Sequence, residues 1–154
     1  MKIKDNIFDK VMEGVCLACV LGVTLYLIFG WSKIPEQIPM HYDWAGNIDR
    51  WGSRSELIIM PIMLWFMYGL MTVVGKFPQL WNTGVTVTEE NRFRVYRTVK
   101  YMLETIKLIV ILDFVYLTIQ PLTGKNMPVW FLPVMLGLVF GDLVFWLIKL
   151  VRVK

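Results

Sequence analysis

The sequence is short of the residues on which most functions in water depend. Only 18% of its 154 residues are charged, and it has one histidine, His41, and three serines. An ordinary soluble domain has about a quarter of its residues charged. With 56% hydrophobic residues, the chain has more apolar surface than a water-facing exterior can absorb. The balance excludes an ordinary soluble domain and predicts one polytopic membrane domain over residues 1–154.

The motifs of common enzymes are also missing. The chain has no His-Glu-x-x-His, no Gly-x-Ser-x-Gly and no glycine-rich phosphate loop. Its two cysteines, Cys16 and Cys19, have the spacing of a redox pair but lie in an apolar block without a βαβ pattern, which favours a packing role. The net charge of +4 comes from basic residues beside the apolar blocks rather than from a nucleic-acid-binding stripe. We therefore predict no cofactor, no nucleic-acid partner and a non-enzymatic role.

Four apolar blocks predict the architecture. They lie at about residues 11–31, 57–75, 101–119 and 129–148. Each is close to the roughly 20 residues that cross a hydrocarbon core of about 30 Å. The third block is the weakest by hydropathy because it contains Glu104, Lys107 and Asp113. The prediction is an all-α bundle of four transmembrane helices, with a structured extracellular loop over residues 32–56.

Lysine and arginine predict the orientation of these spans, because they concentrate in cytoplasmic segments. With the N-terminus inside, the outer loops hold four basic residues and the inner segments eleven. The outer residues are Lys33, Arg50, Arg54 and Lys125, and the inner ones are Lys2, Lys4, Lys10, Lys76, Arg92, Arg94, Arg97, Lys100, Lys149, Arg152 and Lys154. The bias predicts a multi-pass membrane protein with both termini in the cytoplasm.

A helix is predicted to begin before the third span. Thr86 and Glu89, followed by Glu90, resemble a capping box with acid in the first turn. We expect an amphipathic cytoplasmic helix over about residues 88–100 that continues into the span. Its basic residues would contribute about 1 kcal/mol each toward anionic lipid.

The loop between the first two spans holds the densest set of turn residues. Pro35 and Pro39 exclude a helix at its beginning. Gly46-Asn47 and Gly52-Ser53 are turn signals. The loop is therefore expected to fold back and pack on the outer ends of the helices.

Within this loop, a long gap-free run resembles the signature of a bacterial membrane domain of unknown function. It reads Pro39-x-His41-Tyr42-x-x-x-Gly46-x-x-Asp49-x-Trp51-Gly52-Ser53-Arg54. That domain is shared with the SdpI-like immunity proteins, which protect a producing cell against the Sdp toxin. A second family feature resembles Asn82, then Thr88-Glu89-Glu90-Asn91, with Tyr96-Arg97 downstream.

The resemblance implies a binding or protective protein that recognises an extracellular peptide or toxin through the loop. The candidate binding residues are Pro39, His41, Tyr42, Asp43, Gly46, Asp49, Trp51 and Arg54. The cytoplasmic candidates are Asn82, Glu89, Glu90, Asn91 and Arg97. Two other functions stay open: an intramembrane or metal-dependent enzyme centred on His41, Asp43 and Asp49, and an accessory signalling subunit that contacts a cytoplasmic or membrane partner through residues 92–100.

The residues alone leave three interpretations of His41, Asp43 and Asp49. They are a structural knot in which the imidazole bonds a carboxylate, part of a recognition surface, or a metal or acid–base site. The first is favoured because buried polar groups form hydrogen bonds. A metal site is disfavoured because zinc and iron sites usually use more than one histidine.

Charges inside the spans are the second lead, since they are rare and costly there. At about 1.5 Å per residue, Lys107 and Asp142 both lie about 18–20 Å from the outer ends of their spans, which predicts an ion pair. Asp113 lies level with Thr24 of the first span. Structural pairing is favoured over a proton or ion pathway, because the sequence shows no continuous relay of acids.

Overall fold

The computed structural model describes residues 3–153, and its backbone is mostly helical. The helices are α1 (Ile7–Gly30), α2 (Ile59–Lys76), α3 (Arg92–Ile119) and α4 (Phe131–Arg152). Two strands, β1 (Gln37–Tyr42) and β2 (Ile48–Ser53), lie between α1 and α2. Lys2 and Lys154, which were counted among the inner basic residues, lie outside the described residues.

The four helices run up and down in sequence order, and α3 packs against each of the other three. Trp65 on α2 bonds Thr24 on α1, and Tyr116 on α3 stacks on Phe131 at the start of α4. These contacts place the end of α1, the start of α2, the end of α3 and the start of α4 at one end of the bundle. We call it the hairpin end, because the two strands lie there.

Three helical segments are long and apolar enough to cross a membrane. They span Ile7–Lys33, Arg54–Lys76 and Phe131–Arg152, each with a mean hydropathy of 2.2. Their outer faces carry large exposed apolar side chains, such as Phe29 at 79% and Phe140 at 61% exposure. A surface of this kind is suited to lipid and not to water. The helix α3 is not among the three because its charged residues lower its hydropathy.

The middle of the bundle is a small apolar core. Cys16, Val20 and Val23 of α1 meet Leu64 of α2 and Ile111 of α3 there. Both cysteines are free thiols, with Cys16 fully buried and Cys19 packed against the core. The packing role predicted for them is consistent with this placement.

Three local predictions were wrong. The chain is not all-α, because the loop after α1 contains a two-stranded antiparallel sheet. Gly52 and Ser53 lie at the end of β2 and not in a turn, whereas Gly46-Asn47 does lie in the hairpin turn. The helix α3 begins at Arg92, and the reciprocal pair that precedes it is Thr88 with Asn91 instead of Thr86 with Glu89.

Candidate functional site

The strands place His41 beside Asp49. In the register of the hairpin His41 lies opposite Arg50, with an irregularity between Pro39 and His41, where the proline has no N–H for the ladder. The His41 Nδ1 atom lies 2.7 Å from the Asp49 Oδ1 atom. The two side chains are 64% and 44% exposed. The imidazole–carboxylate contact is therefore present, but at the surface, so burial is not its cause.

Asp43 organises the turn of the hairpin. Its Oδ1 atom accepts hydrogen bonds from the backbone N–H of Ala45 (2.9 Å) and of Asn47 (2.8 Å), and its Oδ2 atom accepts one from the Asn47 side chain (3.1 Å). The bonds from Asn47, with smaller ones from the turn backbone, lower the pKa of the Asp43 carboxyl below its usual range. Asp43 is thus committed to the turn as a capping acceptor.

The tip of the hairpin is fastened to the segment between α3 and α4. The Met127 N–H donates to the Gly46 carbonyl at 2.8 Å, and the Ile48 N–H donates to the Asn126 side-chain oxygen at 3.1 Å. Gly46 has φ +84°, and a Cβ atom there would lie 2.5 Å from the Met127 carbonyl oxygen. Only glycine suits this position, both for its backbone and for the close approach. Sequence reasoning missed the contact because nearly eighty residues separate its two sides.

The base of the hairpin is fastened to the segments that join it to α1 and α2. Arg54 donates to the carbonyls of Trp31 (3.2 Å) and Ile34 (2.8 Å) and lies over the Trp31 ring. Glu56 accepts from the Ser53 N–H at 3.0 Å and from Arg50 at 2.9 Å. The hairpin is therefore held to the bundle by hydrogen bonds at both its tip and its base.

The exposed surface of the hairpin carries two tryptophan side chains. Trp44 at the tip is 94% exposed, and Trp51 is 53% exposed. A groove of about 500 Å³ lies beside Trp44, between the turn and the residues that lead into α4, and its walls are mainly apolar. By contrast, Pro39 is fully buried. Tyr42 also points inward, with a buried hydroxyl that has no hydrogen-bond partner in residues 3–153 and a pKa raised by burial.

The intramembrane pair predicted between Lys107 and Asp142 is not formed. The Lys107 Nζ atom lies 2.6 Å from Glu13 Oε2 on α1 and 2.8 Å from Glu104 Oε2 on its own helix. Depth alone could not select the partner, because α3 is covered by three helices and Lys107 faces α1. Glu13 also accepts hydrogen bonds from Tyr68 and, at 3.5 Å, from Thr72 on α2.

The other two acids that were predicted to lie inside the spans have different surroundings. Asp142 accepts from the hydroxyl of Thr105 at 3.1 Å and from the indole N–H of Trp146 at 3.1 Å. Asp113 is half-buried and makes no hydrogen bond or ion pair within the described part of the chain. Thr24, predicted at its level, instead bonds Trp65 and the Val20 carbonyl.

Arg97 belongs to a charged cluster that joins the N-terminal segment to α3. It donates to Asp9 Oδ2 at 2.8 Å and to the Lys4 carbonyl at 2.7 Å. Lys100 pairs with Asp5 and lies 3.3 Å from the same Asp9 oxygen. The acids Asp5, Asp9 and Glu13 were missed as site residues, although their spacing of four matches one helical face.

The remaining cytoplasmic candidates do not form one surface. Asn91 is 5% exposed and bonds Thr88 and the Thr86 carbonyl, so it holds the turn before α3. Asn82 caps a neighbouring turn through Gly84, and Glu89 pairs with Arg92 at 3.2 Å. Glu90 is exposed. Within residues 3–153, no group of three or more histidine, cysteine or acidic side chains is arranged to hold a metal ion.

Three apolar helices, a charged helix between them and a docked hairpin define a helical membrane protein. A family model described as a domain of unknown function, DUF1648, matches residues 17–65. That segment runs from α1 through the whole hairpin into α2, so it contains the first motif, whereas Asn82 and residues 88–97 lie outside it.

One relative adds to this comparison. An uncharacterized protein of the archaeon Archaeoglobus fulgidus is 31% identical over 81 residues, which are 47% of this chain and 44% of the relative. The chain therefore spans less than half the length of that relative. No solved structure matches the chain.

Proposed function

We propose that this protein is a four-span protein of the bacterial cell membrane that binds an extracellular peptide through its hairpin. By its resemblance to SdpI-like proteins, its role would be protection against a peptide toxin. The observation that carries the proposal is the combination of a hairpin fastened at both ends with Trp44, 94% exposed, beside an apolar groove.

The fourth span is α3. Its 28 residues would extend about 42 Å at 1.5 Å per residue, which is long enough to cross the bilayer. Three of its charged side chains, Lys100, Glu104 and Lys107, are buried by its neighbours, the exposed Arg92 and Arg94 lie in its first turn, and Asp113 is half-buried. A charged helix is tolerated in a membrane when its charges face the bundle and pair with one another. If α3 crosses, the hairpin and the α3–α4 segment share one side, as their contacts require.

The orientation rests on basic residues. The bundle end away from the hairpin carries Arg92, Arg94, Lys149 and Arg152, which would face the cytoplasm under the positive-inside tendency. The hairpin would then face outside. The contact between Asn126 and the hairpin tip keeps both outer segments on that face.

An exposed aromatic residue at the edge of a groove is a good anchor for a peptide. Tryptophan offers a large contact area at a small cost in side-chain entropy, and such anchors dominate binding energy. The exposed His41–Asp49 pair adds, on the same hairpin, a polar group that can donate and accept hydrogen bonds. Asp43 and Ser53 are already used in the turn and at the base, so no comparable observation favours the enzyme. The scattered cytoplasmic candidates likewise give no support to a signalling surface.

The test is a toxin challenge. A deletion strain is exposed to peptide toxins made by the same strain and its neighbours, and is complemented with wild type, Trp44→Ala, or the His41→Ala/Asp49→Ala double variant. Loss of an aromatic anchor of about 2 kcal/mol should lower the tolerated toxin concentration at least about tenfold. Phe140→Ala, which removes an exposed aromatic side chain from α4, is the control and should protect fully.

Two outcomes would contradict the proposal. One is a deletion strain as resistant as wild type to every toxin in the panel. The other is full protection by the Trp44 and His41/Asp49 variants at unchanged membrane levels.

A further inference from the structure

A polar cleft of about 390 Å³ opens between α1 and α2 at the end of the bundle away from the hairpin. It lies where α1 begins and α2 ends. Because these two helices belong to the apolar segments long enough to cross a membrane, their ends lie at a membrane–water interface. The cleft is thus placed at the depth of lipid headgroups, whichever face of the membrane it occupies.

Two buried carboxylates, Asp9 and Glu104, line the inner wall of the cleft, and one oxygen of Asp9 is unpaired. Asp9 is 3% exposed, and only its Oδ2 atom is paired, while its Oδ1 atom has no partner in the described residues. Glu104 is 8% exposed and lines the same wall, and its Oε2 atom is held in the ion pair with Lys107 at 2.8 Å. Buried acceptors are normally satisfied, so this wall suits a ligand that brings N–H donors.

Two lysines that form no ion pair within residues 3–153 lie in the exposed part of the same cleft, beside Asp5 and Glu13, which are paired with Lys100 and Lys107. Lys10 at the start of α1 and Lys76 in the last turn of α2 both line it and are both exposed. Neither forms an ion pair with a residue of the described range. Lysine ammonium groups of this kind bind phosphate as point charges. The buried lysine of the lining, Lys100, is already paired with Asp5 and Asp9. The charges left for a ligand are therefore the two exposed lysines and the unpaired Asp9 oxygen, which together complement a zwitterion that has a phosphate and a primary amine.

We propose that the cleft binds the phosphoethanolamine headgroup of a membrane phospholipid. The phosphate lies between Lys10 and Lys76, and the primary ammonium donates to Asp9 Oδ1 and Glu104. A lipid is the source because exposed apolar residues, Val11 at 55%, Val15 at 42% and Val73 at 52%, flank the cleft on the two helices and can contact its acyl chains. This site is independent of the hairpin and of the function proposed for it.

Gly75 supplies a variant that closes the cleft without changing a charge. A Cβ atom at Gly75 would lie 4.0 Å from Glu104 Oε1, so a small side chain fits but a leucine would extend into the space. Gly69, on the same helix, has nothing within 4 Å of its would-be Cβ atom and does not line the cleft. Gly75→Leu and Gly69→Leu are therefore matched variants.

The test measures lipid binding by the purified full-length protein in detergent micelles, using native mass spectrometry. Phosphatidylethanolamine, phosphatidylcholine and phosphatidylglycerol with identical acyl chains are added separately. We expect phosphatidylethanolamine to bind at least about tenfold more tightly than the other two, because choline has no N–H donor and glycerol has no charge to match the carboxylates. Gly75→Leu should remove this preference, and Gly69→Leu should retain it.

Several results would overturn the proposal. Equal binding of the ethanolamine and choline lipids would show that the acceptors take no ammonium. Binding of phosphatidylglycerol as tightly as phosphatidylethanolamine would show that the two lysines alone attract the lipid phosphate. An unchanged preference in folded Gly75→Leu would place the site elsewhere. Competition by free phosphoethanolamine at the same concentration as the lipid would show that the acyl chains, and hence the membrane source, play no part.

Discussion

Lys107 on α3 lies 2.6 Å from Glu13 on α1, and the lysine side chain is 2% exposed. The two residues are ninety-four positions apart in sequence. Because α1 and α3 run in the same direction, a charge in the first part of α1 meets one near the middle of α3. This pair, with Glu104, accounts for a lysine buried near the middle of α3.

The pair predicts a characteristic pattern of stabilities. Lys107→Met leaves the carboxylates of Glu13 and Glu104 close together without their cation, and Glu13→Leu leaves Lys107 with one partner fewer. Breaking a fully buried pair costs about 3–5 kcal/mol, and we expect about 2 kcal/mol here because the Glu13 side chain is 36% exposed. The Lys107→Met/Glu13→Leu double variant should recover part of the loss in thermal unfolding of the purified protein.

The matched control is the combination of Lys107→Met with Asp142→Leu. Asp142 bonds Thr105 and Trp146 and not Lys107, so these two changes should be additive. Recovery in this second double variant, with none in the first, would mean that Asp142 is the partner of Lys107.

Docking of the hairpin tip predicts an unequal effect of two glycine substitutions. Gly46 and Gly124 both have positive φ, at +84° and +64°, so alanine strains the backbone at each by about 1–2 kcal/mol. Only Gly46 also meets the Met127 carbonyl. Gly46→Ala should therefore destabilise more than Gly124→Ala and should increase proteolysis within residues 43–53, which limited digestion would detect. Equal effects at the two positions would indicate that the tip is not docked.

The turn predicts a dependence on pH. The hydrogen bonds to Asp43 lower its pKa in the folded protein. The Asp43 carboxylate therefore stabilises the turn fully at pH values above its unfolded pKa of about 3.9, and this stabilisation is lost as the pH falls through the lower pKa of the folded protein. Limited proteolysis of the hairpin should rise below pH 4. An Asp43→Asn variant should show faster cleavage at pH 7 and a smaller rise in acid. An acid response as large as that of wild type would assign the effect to another carboxylate.

Much of the architecture was predictable because it follows from long-range patterns of hydropathy. Apolar blocks predicted α1, α2 and α4 to within a few residues, and the third block, residues 101–119, lies within α3. The strands were missed because β1 contains a proline and β2 a glycine, which are poor strand formers, and because the pairing is held in part by contacts with Asn126 and Met127.

The candidate site was predictable only in part, because some of its contacts join residues that are far apart in sequence. His41 and Asp49 are eight residues apart, so a folded loop was enough to suggest their contact. The partners of Lys107 depended on which faces of three helices meet, and residue depth carries no information about faces. Asp9 and Glu13 lie at the edge of an apolar block, so the sequence indicated only that they border the first span. Their partners lie on α3, far away in sequence.

The most direct test of the account is the side of the membrane on which three single cysteines lie. In a background without Cys16 and Cys19, cysteines replace the exposed residues Ala45 in the hairpin, Glu90 before α3 and Lys125 in the α3–α4 segment, and intact cells are treated with an impermeant thiol reagent. The account predicts that positions 45 and 125 are labelled from outside and position 90 only after lysis. Labelling of 45 and 90 together from outside, or of 125 only after lysis, would contradict a four-span bundle that presents its hairpin outward.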